Sequence, residues 1–126
     1  MSRNPGAGHR HARLQQILHE EVDALVRDEL TDPDVYGVIV TGVTLSVDYK
    51  NARVLFAIEG QQHPSHEEVA RRERALGRAS RFLRVRLAEA IDTKFVPQLR
   101  FVFDRDAIVS RDEEPPRSGA GPDLDA

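Results

Sequence analysis

Between about Arg10 and Leu30, the apolar residues Leu14, Ile17, Leu18, Val22, Leu25 and Val26 recur at three- and four-residue spacing. That spacing predicts one helix with a single buried face. Asp32-Pro33 ends it, because proline lacks an amide donor and pushes its predecessor out of helical geometry, and Gly37 supports a turn. From Val38 to Val47 the chain is rich in valine, isoleucine and threonine, and Val43, Leu45 and Val47 alternate with Thr44 and Ser46. This predicts a strand with one buried face. Asp48 to Asn51 supply turn chemistry, and on the return Ala52, Val54, Phe56 and Ile58 alternate with Arg53, Leu55 and Ala57. The two strands form a predicted hairpin.

After Gly60 and Pro64, Ser65 and Glu68 have the spacing of a capping box, in which each side chain satisfies an orphan amide, so a helix starts there. Val69, Leu76, Leu83 and Leu87 share one face, and Arg71, Arg74, Arg78 and Arg81 fall on the opposite one. Phe82 breaks the phase. On an unbroken helix it would lie near the arginine stripe, which implies a kink near Ala79 to Arg81 that turns Phe82 inward and divides the segment into two helices. Following Pro97, Leu99, Phe101 and Phe103 alternate with Arg100, Val102 and Asp104 to give a third strand. The expected order is α-β-β-α-kink-α-β, an α+β domain with helices packed on a three-stranded mixed sheet.

At 126 residues and 40% hydrophobic, the chain fits one domain with a modest core. Residues 1–9 are expected to be a flexible basic arm, 10–109 the folded domain, and 110–126 a disordered acidic tail rich in proline and glycine. No repeat recurs at a period of 20 to 50 residues. The longest apolar run, Val54 to Ile58, is far below the roughly 20 residues a membrane-spanning helix needs, and no apolar stretch follows the N-terminal arginines as a secretory signal would require. A soluble protein without a membrane partner is expected. The absence of cysteine excludes disulfides, thiolate metal sites and a cysteine nucleophile.

A net charge of −3 hides local separation. From His19 to Asp34 seven acids meet one arginine, a balance of −6, whereas from Arg71 to Arg86 seven arginines meet one acid, a balance of +6. Like charges at i, i+4 destabilise an isolated helix, so a stripe of one sign points to an anionic partner more than to an ordinary solvated face. Arg10 and Arg13, with Lys50 and Arg53 at the hairpin, either extend that footprint or simply keep the surface soluble. The acidic run would repel an anionic partner, so it is expected to face away from one or toward a basic surface, unless it is plain solvent face.

The segment LTDPDVYG, the hairpin VTGVTLSVDYKNARVLF, the helix joint RASRFLRVRL and the strand VPQLRFVFD resemble the ribosome-binding factor A family, in the right order from about residue 10 to 104. The element order is also that of the type II KH RNA-binding fold. The resemblance implies a bacterial cytoplasmic factor that binds the immature small ribosomal subunit and its 16S rRNA, assists late maturation of the 16S 5′ end, and supports growth in the cold; a basic ribosomal protein is then a candidate partner for the acidic run, and a monomer is expected. It further implies an Ala-x-Gly kink in place of the KH Gly-x-x-Gly loop, mapping onto Ala79, Ser80 and Arg81. Arginine stands here where the family has glycine, which makes a left-handed backbone costly at that position. An arginine at such a joint can reach phosphate through its side chain while amides opening the next helix favour an anion.

The candidate RNA-binding set is therefore Arg71, Arg74, Arg78, Ala79, Ser80, Arg81 and Arg84, with Arg10, Arg13, Lys50 and Arg53 as a second contact. No catalytic residue or cofactor is expected, since neither a nucleophile elbow nor a glycine-rich phosphate loop is present. His9 with His11, and His63 with His66, have metal-site spacings but no third ligand. The expected function is a non-enzymatic assembly factor. The alternative is a protein-interaction module docking its basic helix on an acidic protein, which nuclease treatment would not release.

Overall fold

The computed structural model describes residues 5–91 and 96–107. Helix α1 runs Pro5–Asp28, a short 3-10 turn follows at Pro33–Val35, and the strands β1 (Val38–Leu45) and β2 (Asn51–Ile58) precede helix α2 (His66–Ala90) and strand β3 (Gln98–Phe103). Helix α1 starts earlier than its apolar periodicity indicates, because proline is well suited to a first helical turn and takes residues 5–9 out of the expected arm. The expected acidic tail, from residue 110, lies outside the described residues. Asp32 caps the 3-10 turn by accepting from the Asp34 amide at 3.0 Å. Gly37, with φ of +83°, turns the chain into β1 in the left-handed region that side chains avoid.

β1 pairs antiparallel with β2, and β2 pairs parallel with β3, giving the order β1-β2-β3 with β3 at an edge. The register shifts between Val40 and Gly42, where one extra residue enters β1. Val40, Val43, Leu45, Ala52, Val54, Phe56 and Ile58 face a single core closed by Leu18, Val22, Leu25 and Val26 of α1 and Leu76, Leu83 and Leu87 of α2. Alternation puts Arg53, Leu55, Arg100 and Val102 on the opposite sheet face, with Arg53 and Arg100 neighbours in register.

Three local expectations are corrected. Val47 is not a strand residue: β1 stops at Leu45 and Val47 stands 89% exposed. The turn closes earlier, since the Ser46 amide donates to Asn51 O and the Tyr49 amide to Ser46 O. Nor is helix α2 divided in two; it is continuous through Ala79, Ser80 and Arg81, and Phe82 is not turned inward but remains 41% exposed. No glycine or proline occurs between Arg78 and Ala90, so nothing offers the ladder a reason to break. Phe82 is accommodated on the surface by the Arg86 guanidinium, 5.8 Å from its ring centroid. The Ser65 cap is present, with Ser65 Oγ accepting from the Glu68 amide at 3.1 Å, but the Glu68 carboxylate turns to Arg71 and Arg72.

Candidate nucleic-acid interface

The arginines of α2 divide according to what packs beside them. On the flank toward the 3-10 turn, Arg71 meets Glu68 at 2.7 Å and Asp34 at 3.4 Å, and Arg78 meets Asp32 at 2.9 Å. Arg86 is held between Glu29 and Glu89. Arg72, which sequence reasoning left out of the candidate set, is the most enclosed of the ion-paired arginines: it bridges Glu68 at 2.7 Å and donates to Tyr36 O at 3.1 Å. The acidic and basic runs are thus in part partners of each other. The Asp32 carboxyl is held below its ordinary value by the Asp34 amide and then by Arg78.

Arg74 and Arg81, seven residues apart and so about 20° from each other around the helix, sit roughly 60° around it from Arg71 and Arg78 and make no ion pair with those acids. Both are exposed and have no carboxylate partner among the described residues. Arg84 lies toward β3, where Nε and Nη2 donate to Pro97 O and Val96 O at 3.3 and 3.1 Å. Carbonyls rather than a carboxylate hold it, so no acid among the described residues neutralises its charge. Ala79 and Ser80 are half-buried in the middle of α2. Because no second helix begins there, their amides belong to the helical ladder and are not available to an anion, which corrects the expected joint.

Residues read separately from the sequence come together around the hairpin turn. Three hollows adjoin it. The first, about 420 Å³, has Arg10, Arg13, Leu14, Ile17, Tyr49 and Ile91 on its walls. The second, about 290 Å³, is bounded by Tyr49, Lys50, Arg84, Val96 and Gln98. The third, about 300 Å³, holds Arg53 beside Arg100, with Thr44 and Ser46. No ion pair engages Arg10, Arg13, Lys50, Arg53 or Arg100 among the described residues.

Asp48 sits at this end too, but its Oδ1 accepts from the Ser46 hydroxyl at 2.7 Å and the Lys50 amide at 3.0 Å, which hold its carboxyl below its ordinary value. It organises the turn rather than pairing with a cation. Arg100 and Tyr49 were not among the sequence candidates. Arg100 was findable, since inward Leu99 and Phe101 force it outward, but its adjacency to Arg53 depends on a parallel register. His11 Nε2 lies 3.0 and 3.1 Å from Leu45 O and Ser46 O, so that nitrogen is committed to the backbone and not to a metal.

A model of the ribosome-binding factor A family matches residues 10–112. The chain belongs to the ribosome-binding factor A family. The ribosome-binding factor A of Thermomicrobium roseum is 38% identical over 97 residues, covering 77% of this chain and 72% of that one. The Dechloromonas aromatica protein is 39% identical over 95 residues, covering 75% and 73%. Crystalline ribosome-binding factor A of Thermus thermophilus superposes with a TM-score of 0.65 at 26% identity, covering 78% of this chain and 99% of that one. A homology model of the Thermus thermophilus factor, fitted into a cryo-EM map of a 30S-RbfA complex, gives 0.53 at 29% identity over 80% and 98%. Ribosome-binding factor A structures have a KH-like fold, and this family member shares it as two helices on a three-stranded mixed sheet.

Proposed function

We propose that this protein binds 16S rRNA of the immature small ribosomal subunit and assists late maturation and 5′-end processing in the bacterial cytoplasm, including in the cold. It acts as a monomer and without catalysis. Holding one RNA conformation more tightly than its competitors shifts a folding equilibrium without a reacting group. The observation that carries the reading is the gathering of unpaired cations, Arg10, Arg13, Lys50, Arg53, Arg84 and Arg100, around one end of a protein whose total charge is negative. Family membership and the 30S complex of the Thermus thermophilus relative support the choice of partner.

The RNA face is accordingly the hairpin end with the outer side of α2, where Arg74 and Arg81 extend it. Arg71 and Arg78 contribute less because phosphate must displace Asp32, Asp34 or Glu68 to reach them. Sedimentation with purified small subunits tests this. If about four phosphates are neutralised, affinity falls on the order of a hundredfold between 50 and 200 mM salt, and nuclease releases the protein. Cosedimentation that resists both salt and nuclease would instead favour docking on an acidic protein.

A further inference from the structure

The geometry points to Tyr49 as a stacking platform for one unpaired RNA base, with phosphates on either side held by Arg10 and Arg13 in one hollow and by Lys50 and Arg84 in the next. This rests on the RNA reading and adds to it a single-stranded requirement that charge alone does not impose.

Tyr49 is the one described residue other than glycine with a positive φ, 67°. A side chain is held there only when its surroundings fix it, and such residues gather at binding sites. The fixing contacts are present. The Tyr49 amide donates to Ser46 O at 3.0 Å, and Asp48 ties the turn through the Ser46 hydroxyl and the Lys50 amide. His11, anchored on Leu45 O and Ser46 O, meets the Tyr49 ring at 5.2 Å with the planes at 87°. Perpendicular rings mean that His11 covers at most one face of the tyrosine.

Tyr49 is half-buried and forms part of the wall of both hollows, so the ring stands between two pairs of cations. On one side Leu14, Ile17 and Ile91 supply an apolar floor of the kind a base plane covers. The 420 Å³ there falls within the roughly 300–1,000 Å³ of small-molecule sites. An aromatic ring with flanking cations fits the chemistry of unstacked bases in single strands, whereas bases inside an A-form duplex are not presented to it. An acidic peptide would satisfy the arginines but make no use of the exposed part of the ring and floor, whose buried parts pack on the core.

The test uses the full chain, an eight-nucleotide oligo(A) RNA and a blunt RNA duplex, with affinity read by anisotropy at fixed salt. Single strand should bind more tightly than duplex. Tyr49→Leu should lose on the order of tenfold in affinity for the single strand, with Tyr49→Phe close to wild type and the salt dependence unchanged in both. Since the chain has two tyrosines and no tryptophan, Tyr36→Phe leaves Tyr49 as the sole intrinsic fluorophore. Oligo(A) should quench it. Thermal melts show whether each variant is folded, and quenching in the Tyr36→Phe protein reads stacking even if Tyr49→Leu is unstable. Absence of quenching, or equal affinity of a folded Tyr49→Leu protein, overturns the platform. If subunit binding is at the same time lost on reversing Arg10, Arg13 and Lys50, the RNA reading survives without it; if neither RNA nor subunits bind, both fall.

Discussion

Arg72 shows how one guanidinium can be spent on the fold. Its side chain is 12% exposed, it joins Glu68 to the Tyr36 carbonyl, and its Nε is buried without a partner. A fork that ties two segments repays ordering only while both arms are made. Truncation in Arg72→Ala leaves the Tyr36 carbonyl without this donor and Glu68 with Arg71 and the longer Gln61 contact, so stability should fall by about 1–3 kcal/mol in urea unfolding. Affinity for small subunits should stay within about twofold, since an enclosed arginine does not reach phosphate. Asp32 gives a pH signature. Its carboxyl is held below its ordinary value by the Asp34 amide and by Arg78, so its stabilising effect is full above the ordinary carboxylate range and is lost as pH falls through the lowered value. Thermal melts of wild type and Asp32→Asn should therefore differ at pH 7 and converge only below the ordinary carboxylate range, as Asp32 takes up its proton. Because asparagine keeps the capping oxygen, a difference that persists at the lowest pH would mean that the carboxylate charge is not its source.

Helix α2 carries the main disagreement between pattern and structure. Its start at Ser65 and its buried face through Leu76, Leu83 and Leu87 were legible, because a cap and a 3.6-residue period are local properties. So was the hairpin, apart from the misplacement of Val47. Phe82 was misread, since a large aromatic on the polar side looks like a phase break, although its i, i+4 spacing to Arg86 on an unbroken helix already offered the contact that covers it. Partners were hidden: Asp32 and Arg78 lie 46 positions apart, and no spacing rule joins them. The candidate site was thus half legible. Its residue types could be listed, but the division into paired and unpaired cations required the fold. Arg81 tests the continuity of α2. Arg81→Gly installs the residue that the family resemblance expected, and in an unbroken exposed helix it should cost about 1 kcal/mol relative to alanine in Arg81→Ala, read by thermal unfolding. A glycine variant as stable as the alanine one would indicate that the joint bends in solution.

Charge at the scale of the whole molecule is arranged along α1. Arg10 and Arg13 occupy its first turns, and the acids of α1 follow Arg13 by about 10 Å of helix rise at Glu20 to about 22 Å at Asp28, from just over one to more than two Debye lengths at physiological salt. A phosphate at the hairpin end is therefore screened from the acidic end, which is how a chain of net charge −3 can present a basic face. The arrangement separates two sets of charge reversals that composition treats as equal. Reversing Arg10, Arg13 and Lys50 to glutamate removes cations with no carboxylate partner among the described residues, so stability should change little while the logarithmic salt slope for subunit binding drops by about two to three. Reversing Arg71 and Arg78 sets glutamates against Glu68, Asp32 and Asp34, so the melting temperature should fall while the salt slope moves by less than about one. Half-exposed pairs are worth little each, but like charges in the same places are unfavourable on both sides of the contact. Gradient sedimentation across 50 to 200 mM salt, beside melts of the same preparations, reads both quantities. A steeper loss of binding from the Arg71 and Arg78 pair than from the hairpin set would move the RNA face back to the flank of α2 and show that phosphate outcompetes the acidic turn.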